Sequence, residues 1–189
     1  MNIKLMSRLS VTCIMLAFLF VSCGNNEKKQ NIQKIDSLIT LATDLINQID
    51  NIQMDSVNAY YSDIIEHNVV FKNKLNGLPE SLEMRNNLIN YGTIEKGFKK
   101  IPNKLKEFKN ELQLSEKQLN DLLSDIQNNL LSTEEFHAYF SDEKSILLKM
   151  QYEIVRIINV LDKQIQDFHK LKPVVDLFTD SLSKTEDKI

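Results

Sequence analysis

The chain has 189 residues, 42% of them hydrophobic and 26% charged, with 23 basic and 26 acidic side chains, 4 Gly, 3 Pro and no Trp. This composition excludes collagen-like, low-complexity and disordered chains, and the lack of several long apolar runs excludes a multi-span membrane protein. The length accommodates one domain with enough chain to bury a core.

The N-terminus reads as an address. Met1 to Arg8 carries Lys4 and Arg8 and no acid. Leu9 to Val21 is almost entirely apolar; at about 13 residues it has the length of a signal-peptide core and falls short of the ~18 to 20 needed to span a bilayer. Ser22, Cys23 and Gly24 come next, and then the polar stretch Asn25-Asn26-Glu27-Lys28-Lys29-Gln30.

Val21-Ser22-Cys23-Gly24 resembles the bacterial lipobox read by the lipoprotein-specific signal peptidase. The resemblance implies cleavage after Ser22 and a diacylglyceryl group on Cys23, the first residue of the mature chain. One position departs from the pattern: Phe20 stands where Leu is usual. The cysteines are consistent with this reading. Cys13 leaves with residues 1–22 and Cys23 becomes a thioether, so the mature chain keeps no thiol for a disulfide, thiol catalysis or a Cys-based zinc site. Removal of Lys4 and Arg8 leaves a mature balance of about −5, without a block of one sign, which argues against a nucleic-acid surface.

Residues 23–31 are expected to be a lipidated Cys and flexible tether, residues 32–182 a helical domain, and residues 183–189 a polar tail. Ile32, Ile35, Ile39, Ala42, Ile46 and Ile49 alternate steps of three and four, the mark of one helical face, with Leu38, Leu45 and Ile52 as a flank. The stripe resumes at Val57, Tyr60, Tyr61, Ile64, Asn68, Phe71 and Leu75; Asp55-Ser56 either caps a new helix or lies in a longer one. Gly77-Leu78-Pro79 predicts a stop and restart, with Pro79 in a first turn.

The middle of the chain reads as broken. Leu82, Leu88 and Ile89 suggest a helix that weakens at Gly92 and Gly97, and Pro102 is expected to forbid a regular helix through Ile101. Leu105, Phe108 and Leu112 mark a further apolar face. Ser115-Glu116-Lys117-Gln118 reads as a capping box that starts a helix carrying Leu119, Leu122, Leu123, Ile126 and Leu130. Thr133-Glu134-Glu135-Phe136 opens the last helix with a hydroxyl cap and acids in the first turn. There Phe140, Leu147, Ile154, Leu161 and Phe168 recur every seventh residue, with Phe136, Met150, Ile157 and Leu171 in companion positions. Pro173 is expected to end or kink this helix, with Val174 to Leu182 as a short terminal one.

No strand alternation longer than a few residues is found. The expected fold is all-α: an antiparallel bundle of four to six helices with one long C-terminal helix. Heptad spacing also fits a coiled-coil oligomer, but the wide apolar faces favour a bundle.

Candidate chemistry is sparse. Glu134 and His137 form Glu-x-x-His, the spacing di-iron bundles use in two copies together with two further Glu; one copy reads as a solvated first turn rather than a metal site. Asp63 and His67, four apart, are expected to form a surface ion pair, and His169 has no acid at helical spacing before it. No phosphate-binding glycine loop and no Gly-x-Ser-x-Gly elbow occurs. Tyr60-Tyr61 and Tyr139-Phe140 are expected to place one ring of each pair in the core.

Leu114-Ser115-Glu116-Lys117-Gln118 resembles a Leu-Thr-x-x-Gln motif of small stress-induced periplasmic helical chaperones, which carry two copies; Leu131-Ser132-Thr133-Glu134-Glu135 departs at its last residue, and both have Ser for Thr. The chain is rich in Asn, Ile and Lys and has three Arg, and as a whole it is similar to small helical lipoproteins of Bacteroidetes with no assigned role.

The sequence therefore leads to a lipid-anchored envelope protein, without enzymatic activity or cofactor, acting as an interaction or scaffold module. The alternative is a periplasmic binding or chaperone-like module for unfolded clients, metal or small ligands. The expected partners are the membrane, through the lipid on Cys23, and an envelope protein, with no nucleic acid. Gly24 is not the Asp that resemblance to enteric lipoproteins associates with inner-membrane retention, so an outer-membrane destination is expected.

Overall fold

A computed structural model describes residues 26–74, 79 and 81–184 with their side chains, and residues 3–25 only as part of the first helix. Four helices occur among the described residues: α1 (Ile3–Asp50), α2 (Met54–Lys74), α3 (Leu82–Gln127) and α4 (Thr133–Lys184). The fold is an all-α helical bundle.

Each long helix buries one seam whose positions alternate by three and four. In α1 the seam is Ile35, Leu38, Ala42, Leu45 and Ile49. Ile32, Ile39 and Ile46, expected on the central face, lie at its half-buried edge. Both series share Ile35, Ala42 and Ile49, so spacing alone does not choose between them. In α3 the seam runs from Tyr91 and Ile94 through Phe98, Ile101, Leu105, Phe108 and Leu112 to Leu119, Leu122 and Ile126, with Ser115 at the remaining position. In α4 the heptad residues Leu147, Ile154, Leu161 and Phe168 are buried, as are Phe136, Met150, Ile157 and Leu171. A buried side chain of this size contributes roughly 1.5–3 kcal/mol.

The continuity of α3 and α4 corrects the expected breaks. α3 passes through Gly92, Gly97 and Pro102 without ending. Pro102 has no N–H to donate to the carbonyl one turn back, yet Ile101 and Leu105 on either side both enter the seam. Apolar burial outweighs one lost backbone bond. For the same reason Ser115 is no helix cap: it lies inside α3 and is buried. Pro173 lies inside α4, where Val175, seven residues after Phe168, carries the heptad past it and is fully buried.

The ends of the helices follow local chemistry. Pro79 lies before α3 instead of in its first turn, and Ser81 is the cap: its Oγ accepts from Met84 N at 3.3 Å. Gly77 and Leu78 lie outside the described residues. α3 closes in a Schellman arrangement: Leu130 N donates to Asp125 O at 2.9 Å and Asn129 N to Ile126 O at 3.2 Å. Asn129 takes the left-handed conformation this requires, φ 57°. Ser132, one residue before the expected Thr133, is the cap of α4. Glu135 N donates to its Oγ at 3.2 Å, and Ser132 N donates back to Glu135 Oε2 at 2.9 Å, a reciprocal capping box.

The chain divides into two compact units, residues 1–44 with 112–148 and residues 45–111 with 149–189. In unit 1, α1 runs antiparallel to α3: Lys28 Nζ donates to Gln127 O and Asn129 Oδ1, both at 2.9 Å, and Thr43 Oγ1 donates to Glu116 Oε1 at 3.0 Å. Residues 26–31, expected as part of a flexible tether, are therefore a turn and a half of α1 whose Lys28 neutralises the carbonyl end of α3. Within this stretch Asn31 is buried.

In unit 2 the end of α1 and all of α2 run in the same direction along α3. Lys109 pairs with Asp50, while His67 meets Tyr91 and Asn68 Nδ2 donates to Glu95 Oε2 at 3.0 Å. Residues 32–74 are thus in two helices, α1 and α2, interrupted at 51–53, and Leu75 lies outside the described residues. That interruption and Pro102 of α3 line one open cavity of about 760 Å³.

Two substitutions separate backbone from packing effects. Gly92→Ala raises stability by about 0.5–1 kcal/mol, because nothing lies within 4 Å of the added Cβ. Gly97→Ala gains less, because its Cβ meets the side chain of Gln164. Leu119→Ala, at a fully buried seam position, costs about 2–5 kcal/mol. Urea unfolding midpoints check all three.

Candidate functional site

A group of interacting polar side chains lies in unit 2, where α2 packs against both α3 and α4. Asp63 and His67 lie one turn apart on α2, but they do not pair with each other. His67 Nε2 lies 2.9 Å from Asp176 Oδ1 of α4, and His67 Nδ1 lies 2.9 Å from the Tyr91 hydroxyl of α3. Asp63 Oδ2 instead pairs with Lys172 Nζ at 3.3 Å, and Lys172 Nζ also donates to Asp176 Oδ1 at 3.1 Å. The expected surface pair is replaced by a five-residue network.

The network fixes its own protonation pattern. In the tautomer with the imidazole proton at Nε2, that nitrogen donates to Asp176 and Nδ1 accepts from the Tyr91 hydroxyl. Burial, then the carboxylates of Asp176 and Asp63, push the Tyr91 phenol well above its ordinary value, so it stays a donor. Burial acts to lower the Lys172 ammonium, but its hydrogen bonds to Asp176 and Asp63 outweigh that and raise it.

Carboxylate, imidazole and hydroxyl stand in the order of a proton relay. The hydroxyl end, however, is Tyr91, which is 1% exposed, and its ring stacks at 6.0 Å on Phe168. A group so enclosed meets no substrate. The relay is a clamp: one imidazole holds α2 to both α3 and α4. Around it Tyr60 packs 4.8 Å from Phe168 and 6.1 Å from Phe98, while Phe71 lies 6.0 Å from Phe178.

The other sequence candidates stand apart from this network. Glu134 and His137 are exposed on the first turn of α4 in unit 1. Among the described residues no group of three or more His, Cys, Asp or Glu is placed to hold a metal ion. His169 is exposed, 5.0 Å edge-on to Tyr60. Tyr60 and Tyr61 are both half-buried, whereas Tyr139 is exposed beside a half-buried Phe140. Ser22 and Cys23 lie outside the residues whose side chains are described. No helix among the described residues is long and apolar enough to cross a membrane.

Sequence reasoning missed Tyr91, Lys172 and Asp176. They come from helices far from His67 in the chain, and no local spacing announces such a meeting. Comparison with protein-family models, with curated proteins and with solved structures gives no match.

Removing the imidazole leaves the Tyr91 hydroxyl buried without a partner, so His67→Ala costs about 1–3 kcal/mol in urea unfolding. Two titrations act in opposite directions. The Ser132 backbone and hydroxyl hold the Glu135 carboxyl below the usual range; its capping contribution is present at neutral pH and is lost as pH falls through the folded value. Lys172 is raised, so its contribution is complete below the ordinary lysine value and is lost as pH rises through the higher folded one. Amide exchange at the start of α4 in acid, and alkaline unfolding compared with Lys172→Met, read the two effects.

Proposed function

We propose that this chain is a lipid-anchored cell-envelope protein that acts as a non-enzymatic interaction or scaffold module, with an outer-membrane destination. The observation that carries this reading is the ordered N-terminal series: Lys4 and Arg8, the apolar run Leu9 to Val21, then Ser22, Cys23 and Gly24. Acylation gives the reading its energetics. Each buried methylene contributes about 0.8 kcal/mol and a single chain holds only marginally, so the two or three chains of a lipidated Cys make attachment lasting.

The enclosure of Tyr91 supports a module rather than a catalyst. The polar cluster of unit 2 spends its donors and acceptors on joining helices, with its hydroxyl end enclosed. What the domain offers outward is helix surface, including exposed Tyr139, Ile146, Tyr152 and Leu177 on α4. Scattered apolar residues are ordinary on a protein surface; Tyr139 and Ile146, one heptad apart, share a helix face and are material for an interface.

The test is recovery of the protein from cross-linked cell envelopes beside a Cys23→Ala control. The expected outcome is a stoichiometric partner that is lost, with membrane association, in the variant. A solitary protein, or a smear of substoichiometric clients, would sink the module reading.

A further inference from the structure

The α3–α4 hairpin of unit 1 leaves a groove of about 460 Å³ along its flank, lined by two turns of each helix and by no residue of α1. Its surface is mainly apolar, formed by Leu122 and by Tyr139 and Ile146, which lie one heptad apart on α4 and are 55% and 47% exposed. Four carboxylates border it: Asp121 and Asp125 from α3, Asp142 and Glu143 from α4. No Lys or Arg lines it. Among the described residues none of these four side chains takes a hydrogen bond or ion pair, and Glu143 Oε2 is shielded from solvent with no donor.

We infer that this groove docks a basic amphipathic helix of a partner protein. The inference rests on the interaction-module reading and gives it a surface. On each wall the lining residues are spaced i, i+3, i+4, i+7, so two antiparallel helices present parallel ridges of the kind a third helix packs against. The apolar floor calls for apolar side chains at the same spacing on the incoming helix. The unpaired acidic border calls for lysine or arginine beside them, which gives charge complementarity and excludes acidic helices.

A second copy of this chain fits less well. Its basic stretch, Lys96, Lys99, Lys100, Lys104 and Lys106, lies on α3, where the neighbouring apolar residues Phe98, Ile101, Leu105 and Phe108 are buried in its own core. That face offers charge without apolar side chains to fill the floor.

The test uses the full-length chain in nonionic detergent and a fluorescent peptide of Leu and Lys at helical spacing, followed by anisotropy. The expected result is saturable binding that weakens with salt. It falls at least about tenfold in Asp121→Asn/Asp125→Asn and in Ile146→Lys, and is unchanged in Asp36→Asn/Asp44→Asn on the exposed face of α1. A Leu/Glu peptide of the same pattern does not bind. Circular dichroism confirms that each variant is folded. Equal affinity for all variants, or no saturation, overturns the inference. So does sedimentation that shows a dimer dissolved by Ile146→Lys, because a second copy then covers the groove. An envelope partner that depends on Cys23 but is indifferent to Ile146→Lys overturns the groove alone and leaves the anchored-module reading standing.

Discussion

The structure depends on one constraint: every long helix must keep an apolar residue facing its neighbours at alternating steps of three and four. In α3 this seam runs from Tyr91 to Ile126 across Gly97, Pro102 and Ser115. In α4 it runs from Phe136 to Val175 across Pro173. A missing backbone donor at a proline costs about 3 kcal/mol in a helix interior. Several buried aliphatic side chains on each side contribute more than that. The helix therefore continues wherever the seam continues, and residues that break helices in isolation are carried along.

The seam also explains where the bundle is irregular. Between Asp50 and Met54 the first helical rail is interrupted, and the same open cavity is bordered by Pro102 of α3. Beyond the break, α2 is a short helix with two residues fully buried, Val57 and Ile64. It carries less apolar burial than the long helices and compensates with polar attachment. The His67 imidazole joins it to α3 and α4 together, and Asp63 adds an ion pair through Lys172. In unit 1, Lys28 caps the Gln127 carbonyl at the end of α3, and Thr43 holds α1 to Glu116 three turns earlier.

These observations divide the polar side chains into two kinds. The network around Asp176 runs from half-exposed carboxylates to the enclosed Tyr91 and joins three helices, and its effect is cohesion. The carboxylates along the α3–α4 hairpin are outward and unpaired, beside apolar residues that gain nothing from water. Such a pairing of exposed apolar and unmatched charged groups adds little to folding and is the basis of the docking inference. The module proposed above would use both: a body that holds its shape and a surface left open.

Much of this was legible in the residues. The absence of strand patterning and the heptads from Phe136 to Leu171 identified an all-α bundle and most of the buried face of α4. The order of charge, apolar run and small residues before Cys23 is the ground on which an envelope address is proposed. What local reading mistook was any segment whose propensity and packing disagree. Pro102, Pro173 and the Ser115 capping box are stop or start signals taken alone, yet residues further along the chain kept each helix going. Asn26–Asn31 looked like a tether because it lacks apolar residues, but its Lys and Asn side chains find partners on the end of α3 and within α1. Helix period and composition are local properties, so they set the fold class and a broad apolar side on each long helix. The partner of His67, the choice between Leu38 and Ile39 for the seam, and the open acidic groove were decided only by tertiary structure, because each depends on which distant helix comes to lie alongside.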